Sequence, residues 1–330
     1  MLENRSAGVT VAWQGSTIEG FTAIAGEADR LGFEYFWVPE AWGTEAFSVA
    51  SYLLSKTSKI RVGTGILNIF SRSAALIGMG YATLDQLAPG RFILGLGSSG
   101  KALVENFHGV DFSNPLERTE EYVAVIRRVA QGETLDYNGK VVKNLSRFRL
   151  YTKPMSHRLE IYLGAIGDSN LNLAGRICDG AILAEYPSSK LIRALGLLDS
   201  KDKKLFTYLH TCISNSKEEL EKSRHVSAKN IAFYIASMGS YYAKSLARLG
   251  HEEEVKKIIE AHQKNGSDGA TKAVSEGLVD ELSLIGTPDM IKEKISHFPE
   301  GVIPVLAFRA VSNEDVATAI NSMRNLLASG

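Results

Sequence analysis

Residues 60–96, IRVGTGILNIFSRSAALIGMGYATLDQLAPGRFILGL, contain one complete strand–helix–strand unit. Residues 60–66 are short, apolar and rich in β-branched side chains, which predicts a strand. Residues 74–87 predict a helix, and the apolar run 92–96 predicts the next strand. Because a helix joins the two strands, the pattern predicts parallel strands that are buried on both faces.

The same unit recurs along the whole chain. Strands are predicted near residues 8, 35, 60, 92, 161, 181, 206 and 303, and a helix follows each of them. Eight such units are the number that closes a barrel, whereas a doubly wound open sheet usually has fewer units per domain. No linker divides the chain, so we expect a single α/β domain over residues 1–330, a (β/α)₈ TIM barrel.

Two stretches interrupt this rhythm. Extended runs around Asn138-Gly139 predict a hairpin insertion after the fourth strand, at about residues 134–153. A long helical region predicts a second insertion before the eighth strand, at about residues 217–283, with one long helical stretch over 217–264.

The composition excludes several classes of protein. Of 330 residues, 45% are hydrophobic, and 37 Lys and Arg balance 37 Asp and Glu, so the chain is neither disordered nor strongly cationic. We therefore expect no nucleic-acid or membrane partner. The two cysteines, Cys178 and Cys212, provide neither a disulfide framework nor a CxxC pair, and no metal site is expected. The first residues lack the apolar run of a signal peptide, so we expect a cytoplasmic protein.

Residues 95–100, GLGSSG, match the glycine pattern GxGxxG directly after a predicted strand. In a Rossmann fold this pattern binds a pyrophosphate. A short helix and then a second, longer helix follow it, however, where a Rossmann unit needs its next strand. In a barrel, Gly97, Ser98 and Ser99 would instead lie at the carboxyl-terminal mouth, where bare backbone can approach a flat ligand.

Residues 164–170, GAIGDSN, follow the fifth predicted strand and begin a helix. Small residues leave N–H groups free at such a position, so Ala165, Ile166 and Gly167 are candidates for a phosphate site. The alternative is ordinary helix capping by Asp168 or Ser169.

Four further residues are candidates for the chemistry at the mouth. Glu40 ends the second predicted strand, where its carboxylate could act as an acid or base or could cap a helix or pair with a cation. His108 is the histidine expected nearest a mouth loop, although a lone histidine is more often a packed or solvated side chain. Trp13 and Trp42 are candidates for the wall of a substrate pocket.

Four segments together resemble the bacterial-luciferase-like superfamily: FEYFWVPE at 33–40, TLDQLAPGRFILGLG at 83–97, AGRICDGA at 174–181 and IGTPD at 285–289. Within it, the chain is most similar to the branch that uses the deazaflavin coenzyme F420, in particular 5,10-methylenetetrahydromethanopterin reductase. The resemblance implies the same barrel and an oxidoreductase that transfers a hydride between the deazaflavin and a small organic substrate.

The resemblance also assigns roles to particular residues. Gly65, Ile66, Leu67 and Asn68 match the bulge that backs the flavin-like ring, with a cis peptide bond between Gly65 and Ile66. Ser98, Ser99 and residues 165–167 would hold the ribityl chain and phosphate. Family members are commonly dimers, so we expect a homodimer.

Three departures concern the substrate. Thr10 stands where the reductase has a glutamate thought to donate a proton, Glu40-Ala41 replaces an Asp-His pair of related sugar-phosphate dehydrogenases, and Leu67 replaces a hydroxyl residue. Glu40 therefore remains the first candidate for an acid or base, and His108 the second. The alternatives are an FMN-dependent monooxygenase on the same fold and a flavin-binding protein without catalysis.

Overall fold

The computed structural model describes residues 6–152, 154–156, 158–199 and 202–328. The strands are β1 (Gly8–Val11), β2 (Tyr35–Val38), β3 (Arg61–Thr64), β4 (Leu67–Asn68), β5 (Phe92–Gly97), β6 (Asp136–Tyr137), β7 (Leu145–Ser146), β8 (Ile161–Gly164), β9 (Gly180–Leu183), β10 (Lys204–Ile213), β11 (Ser283–Gly286) and β12 (Val302–Phe308). The helices are α1 (Ile18–Leu31), α2 (Ala46–Lys56), α3 (Ala74–Leu87), α4 (Lys101–Asn106), α5 (Pro115–Ala130), α6 (Asp168–Ile177), α7 (Leu191–Leu198), α8 (Lys217–Ala236), α9 (Ser240–Leu246), α10 (Glu252–Ala273), α11 (Glu276–Leu282), α12 (Pro288–Ser296) and α13 (Asn313–Ala328).

The predicted (β/α)₈ barrel is confirmed. Parallel pairing runs through β1, β2, β3, β5, β8, β9, β10 and β12, and β12 pairs again with β1, which closes the sheet on itself. Closure removes both edges of the sheet. It also brings the carboxyl ends of all eight strands to one rim, where the functional loops of such barrels lie.

Aromatic side chains fill the barrel interior. Trp37 on β2 packs edge-to-face on Tyr162 of β8 and on Phe206 of β10, at ring-centroid distances of 5.9 and 4.8 Å. Side chains alternate along a strand, so Tyr208 and His210 follow Phe206 on the inward side of β10. The interior is therefore solid at the level of Phe206 and changes to polar side chains toward the mouth.

Strand β11 is an addition to the eight predicted strands. It pairs with the last four residues of β10, with His210 opposite Ser283 and Ile213 opposite Gly286. Strand β9 pairs only with the first part of β10, up to Thr207. Strand β11 therefore continues the sheet beyond the end of β9 and holds the long end of β10 in place above the barrel.

The first predicted insertion has less strand than its sequence suggests. Strands β6 and β7 are two residues each and pair antiparallel, so Asn138-Gly139 lies in a longer loop and not in a tight turn. Lys153, the last residue of the predicted insertion, lies outside the described residues. The carboxylate of Glu121 on α5 holds this loop by accepting hydrogen bonds from the backbone N–H groups of residues 140–142.

The second insertion consists of helices α8 to α11, which pack around a separate apolar cluster that includes Ile231, Leu246 and Ile258. The single helical stretch predicted over 217–264 is in fact broken: α8 ends at Ala236, and Gly250 has a φ of 106° between α9 and α10. In the part of the chain that the structure describes, no helix has both the length and the apolar character needed to cross a membrane.

Candidate active site

A cavity of about 710 Å³ opens at the carboxyl-terminal rim of the barrel. Loops after β1, β2, β3, β5, β8 and β9 line it, and helices α8 and α9 of the second insertion cover one side. This volume is in the range of small-molecule sites, and the position is where barrel enzymes place their chemistry. We therefore identify this cavity as the candidate active site.

The floor of the cavity is a backbone bulge at Gly65–Ile66. Their peptide bond is cis, as the resemblance implied, and both residues line the cavity. The side chain of Ile66 lies over two glycines: a Cβ built on Gly97 would come within 2.8 Å of Ile66 Cδ1, and one on Gly164 within 3.1 Å of Ile66 Cγ2. Glycine at 97 and 164 therefore leaves the room that Ile66 occupies.

Leu67 and Asn68, the other two residues of the predicted bulge, lie beneath this surface. Both are buried, and they pair with Leu96 and Gly97 as the short strand β4. The Asn68 side-chain oxygen accepts a hydrogen bond from the N–H of Phe70 at 2.9 Å. These two residues support the bulge from below and do not line the cavity.

Glu40 lines the cavity, but its carboxylate is fully engaged. Arg72 donates to both oxygens at 2.7 and 2.8 Å, and the N–H of Ala46 donates to one of them at 2.9 Å. The side chains of Glu40 and Arg72 are only 8% and 13% exposed. This geometry is the ion-paired alternative of the sequence analysis, and it favours a positioning role for Glu40 over an acid–base role.

Trp13 and Trp42 meet on one wall of the cavity, with ring centroids 4.1 Å apart. The indole N–H of Trp13 donates to the hydroxyl of Tyr234 on α8 at 3.1 Å, which ties the loop after β1 to the second insertion. The two tryptophans therefore occupy the place that the sequence suggested for a pocket wall.

His108 does not line the cavity. It follows α4 and stacks edge-on against Phe107, with a centroid distance of 5.1 Å. Its neighbours Asn106 and Phe107 do reach the cavity. The ranking of His108 as the histidine nearest the mouth is wrong, because His210 lines the cavity from β10.

The loop before α6 has the form of an anion site. Gly167 is the residue that precedes the helix, and no side chain caps the helix there, so capping by Asp168 or Ser169 does not occur. Asp168 instead pairs with both terminal nitrogens of Arg193. A second guanidinium, that of Arg248, lies beside the loop: a Cβ on Gly167 would be 3.7 Å from its Nη2.

Ala165 and Ile166 line the cavity next to this helix start, whereas Gly167 lies just behind them. The hydroxyl of Ser245 on α9 donates to the carbonyl of Ile166 at 2.9 Å and fixes the loop. On the opposite side, Gly97, Ser98 and Ser99 line the cavity after β5. Ser99 has a φ of 58°, which turns the chain sharply away from the barrel.

A buried carboxylate–imidazole pair lies on the remaining wall, and no sequence motif indicated it. Glu185 Oε1 is 3.0 Å from His210 Nε2, and the amide nitrogen of Asn230 is 3.2 Å from the same ring nitrogen. Burial lowers the pKa of His210, but the adjacent Glu185 carboxylate outweighs it, and the pKa of His210 is raised overall. The sequence feature that could have indicated His210 is the alternation of Phe206, Tyr208 and His210 on one predicted strand, which places all three side chains on the same face.

Two polar atoms near this pair are buried without a hydrogen-bond partner: Glu185 Oε2 and the hydroxyl of Tyr208. Both residues line the cavity. Buried polar groups are usually paired, so orphaned atoms that face a cavity indicate groups that a ligand completes.

The sequence profile of the family described as luciferase-like monooxygenase matches residues 3–303. This match covers most of the chain, which therefore belongs to that family and is an oxidoreductase. The assignment agrees with the closed barrel and with the cavity at its carboxyl-terminal rim.

Several characterised proteins are similar over nearly their full length. A 5,10-methylenetetrahydromethanopterin reductase of Archaeoglobus fulgidus is 28% identical over 293 residues, covering 85% of this chain and 86% of that protein. The structure of a coenzyme F420-dependent tetrahydromethanopterin reductase from Methanopyrus kandleri superposes with a TM-score of 0.81 at 21% identity, covering 98% and 99% of the two chains. The oxygenating constituent of a diketocamphane monooxygenase from Pseudomonas putida, in complex with FMN, has a TM-score of 0.71 at 15% identity and covers 98% and 97%.

Proposed function

We propose that this protein is a coenzyme F420-dependent oxidoreductase that transfers a hydride between the deazaflavin and a small organic substrate, as the similar methylenetetrahydromethanopterin reductases do. The observation that carries the proposal is the floor of the cavity of about 710 Å³. It consists of the Gly65–Ile66 bulge, with the Ile66 side chain packed on Gly97 and Gly164. A flat floor of backbone and one aliphatic side chain suits a planar ring system better than a small polar ligand.

The residues present fit such a cofactor. The orphaned hydroxyl of Tyr208 lies against Gly65 at the floor, where it can donate a hydrogen bond to a ring heteroatom. The uncapped start of α6 and the guanidinium of Arg248 offer backbone N–H groups and a positive charge to a phosphate. When bound, the deazaflavin supplies a carbon that accepts or gives a hydride.

The residues of the chain would bind and orient the cofactor and shield the substrate from water. Ile66 backs the ring plane, and Trp13 and Trp42 close the substrate side against water. Residues 97–99 on one side, and Ala165 and Ile166 on the other, bracket the chain that leads to the phosphate. Glu40 acts at a distance, because its pair with Arg72 joins the loop after β2 to the segment that follows the bulge.

A fluorescence titration of the purified protein with oxidised F420 and, separately, with FMN tests the proposal. We expect micromolar or tighter binding of F420 and much weaker binding of FMN. Preference for FMN would contradict the proposal and favour the second candidate, an FMN-dependent monooxygenase, which the likeness to the FMN-bound monooxygenase supports. Release of hydrogen peroxide on aerobic incubation with reduced FMN would then identify that activity. Tight binding without turnover of any substrate would favour a binding protein.

A further inference from the structure

The cavity lacks an acid where the resemblance led us to expect one. Thr10, on β1, stands in place of the expected glutamate, and its hydroxyl donates to the carbonyl of Trp37 at 2.7 Å. A threonine hydroxyl is too weak an acid to give up a proton at neutral pH, and this one already donates to the barrel wall. The carboxylate of Glu40 is held by Arg72 and by the N–H of Ala46. The proton that accompanies hydride transfer must therefore come from another group.

We propose that His210 is the proton-exchanging residue of this active site and that Glu185 positions it. This inference rests on the proposed function and names the acid–base group of the same site. The substrate class is one in which a carbon–heteroatom bond is reduced, so that carbon takes the hydride and oxygen or nitrogen takes the proton.

The geometry defines which atom exchanges the proton. Glu185 Oε1 lies 3.0 Å from Nε2, and the amide nitrogen of Asn230 lies 3.2 Å from the same ring nitrogen. Because an amide nitrogen cannot accept a hydrogen bond and a carboxylate can, a proton on Nε2 is donated to Glu185. Among the described residues, Nδ1 has no hydrogen-bond partner, and the side chain of His210 is 23% exposed in the cavity that it lines. Nδ1 is thus the ring nitrogen available to a substrate. A carboxylate that orients an imidazole in this way is the arrangement of acid–base histidines in many enzymes.

The backbone around the pair is specialised for this arrangement. Glu185 has a φ of 50°, in the left-handed region that non-glycine residues rarely adopt, and this places its side chain beside His210. Strand β11 pairs with β10 from His210 onward and holds the histidine at the level of the mouth. Rare backbone conformations concentrate at functional sites, which makes Glu185 a candidate for a functional role.

Besides Glu185 and Asn230, three tyrosines share the cavity with the imidazole. Tyr208 comes from its own strand, Tyr234 from α8 and Tyr242 from α9, and all three line the cavity with it. Burial raises the pKa of each tyrosine, so all three stay neutral at physiological pH. Glu185 is therefore the charged group that governs protonation of His210 among the described residues.

When bound, the reduced deazaflavin would supply the hydride for the new C–H bond, and the electron pair of the carbon–heteroatom bond would move to the heteroatom. Nδ1–H of the His210 imidazolium gives its proton to that heteroatom, which leaves neutral imidazole with Nε2–H still donated to Glu185. The proton that the cofactor loses together with its hydride would pass to solvent, and solvent returns one proton to His210, so that the substrate gains one hydride and one proton and the cofactor loses the same.

The first test is a nuclear magnetic resonance titration of the histidine side chains in the protein without cofactor. His210→Gln keeps a donor toward Glu185 and identifies the His210 signals by their loss. We expect His210 to titrate above the ordinary histidine value of about 6.5. In Glu185→Gln, its pKa should fall by about one pH unit or more. An ordinary pKa in the wild type, or no change in Glu185→Gln, would overturn the role of the pair.

The second test follows oxidation of reduced F420 with 5,10-methylenetetrahydromethanopterin and a panel of aldehydes and ketones. We expect His210→Gln to bind F420 normally and to lose about 10²- to 10⁴-fold in turnover near pH 7. Glu185→Gln should be active at low pH. As the pH rises, its activity should fall at a lower pH than that of the wild type, because the imidazolium loses its proton earlier. The control is His225→Gln, an exposed histidine on α8 that does not line the cavity.

The outcomes separate the two proposals. Failure of wild type to bind F420 would refute the proposed function, whatever His210 does. Normal F420 binding with turnover that is unaffected by His210→Gln would overturn the role of His210 alone. F420 binding without turnover of any member of the panel would overturn the substrate class. Circular dichroism and thermal unfolding of each variant show whether a loss of activity is a loss of folding.

Discussion

The hydroxyl of Tyr208 lies directly against the backbone of Gly65: a Cβ built on that glycine would be 2.0 Å from the hydroxyl oxygen. The oxygen is buried and has no hydrogen-bond partner. Residue 65 is therefore restricted to glycine by a side chain from the opposite side of the barrel. The contact also places a polar atom at the floor of the cavity, where the proposed ring would lie.

Removal of the Tyr208 hydroxyl should weaken F420 binding without lowering the stability of the fold. In Tyr208→Phe, we expect F420 affinity to fall about 5- to 10-fold, the contribution of roughly one hydrogen bond, because the ligand loses its donor. The midpoint of thermal unfolding should not fall, because the hydroxyl has no protein partner to lose. Tyr234→Phe is the control, since its hydroxyl accepts from Trp13 and its removal should destabilise the protein. A stability loss in Tyr208→Phe with unchanged affinity would contradict this assignment.

Gly97, which lies beneath the Ile66 side chain, should not tolerate a larger residue. In Gly97→Ala, the new methyl group would collide with Ile66 at 2.8 Å and displace it upward into the cavity. Overpacking of this kind costs about 1–3 kcal/mol of stability, and we expect F420 affinity to fall about tenfold or more. Gly100→Ala is the matched control, since a Cβ there has nothing within 4 Å. Equal affinities of the two variants for F420 would show that the floor is not the ring site.

Glu40 should behave as a structural carboxylate. In Glu40→Gln, Arg72 loses its buried charged partner and keeps only the exposed Glu45, so we expect the free energy of unfolding to fall by about 1–3 kcal/mol and F420 affinity to weaken. The pH dependence of turnover should keep its shape. Glu45→Gln is the control, because Glu45 contacts the same arginine but is 44% exposed and should contribute less than about 1 kcal/mol. Loss of one limb of the pH profile in Glu40→Gln, with affinity and stability unchanged, would restore Glu40 as an acid or base.

Arg248 should matter only for ligands that carry a phosphate. In Arg248→Gln, we expect F420 to bind about 5- to 30-fold more weakly, as for a lost charge-assisted hydrogen bond of about 1–2 kcal/mol. Affinity for the deazaflavin that carries the ribityl chain but no phosphate should stay the same. Lys244→Gln, one turn earlier on the same exposed surface, serves as the control for net charge. Equal loss for both ligands would place the phosphate elsewhere.

The Asp85 carboxylate should make the free energy of unfolding depend on pH. Burial raises the pKa of Asp85, but hydrogen bonds from Ser156 and from the N–H groups of Gly90 and Met155 outweigh it and lower the pKa overall. A carboxyl group whose pKa is lower in the folded state stabilises the fold above its unfolded pKa, about 3.9, and this contribution is lost as the pH falls through the folded value. We expect Asp85→Asn to lose about 1–3 kcal/mol at pH 7 and much less relative to wild type near pH 2.

Denaturant unfolding at both pH values measures this difference. Asp111→Asn, an exposed carboxyl group, is the control and should behave as wild type does. A destabilisation of Asp85→Asn that is the same at both pH values would contradict the ionised state assigned to this carboxylate.

The motifs that pointed to the family are mostly structural. Asp85 holds residues 155 and 156 by their N–H groups at 2.7 Å, and Arg91 donates to the carbonyls of Leu54 and Ile60 before β3. Asp179 pairs with Arg127 and accepts from the N–H of Ile161 at the start of β8. These contacts tie loops together at the amino-terminal ends of the strands, away from the cavity. Such motifs therefore predict the barrel well and carry little information about the reaction.

The sequence by itself determined the order of strands and helices, because hydrophobic periodicity and helix boundaries are local properties. Helix α3 begins and ends at the predicted residues, 74 and 87, and the eight barrel strands lie where apolar runs predicted them. The position of Gly65, Gly97 and Ala165 at the mouth was also identifiable, because Gly65 lies at the end of a predicted strand and the other two lie just after predicted strands.

Only the tertiary structure decided which side chains meet in the cavity. Glu185 and His210 are 25 residues apart, and their contact depends on closure of the sheet, on the left-handed backbone at Glu185 and on the pairing of β11 with β10. The sequence made Glu40 a candidate catalytic carboxylate, and only the tertiary structure shows that it pairs with Arg72, 32 residues away. Parallel strands bring loops from distant parts of the chain to one rim, and no local pattern encodes which of their side chains become neighbours.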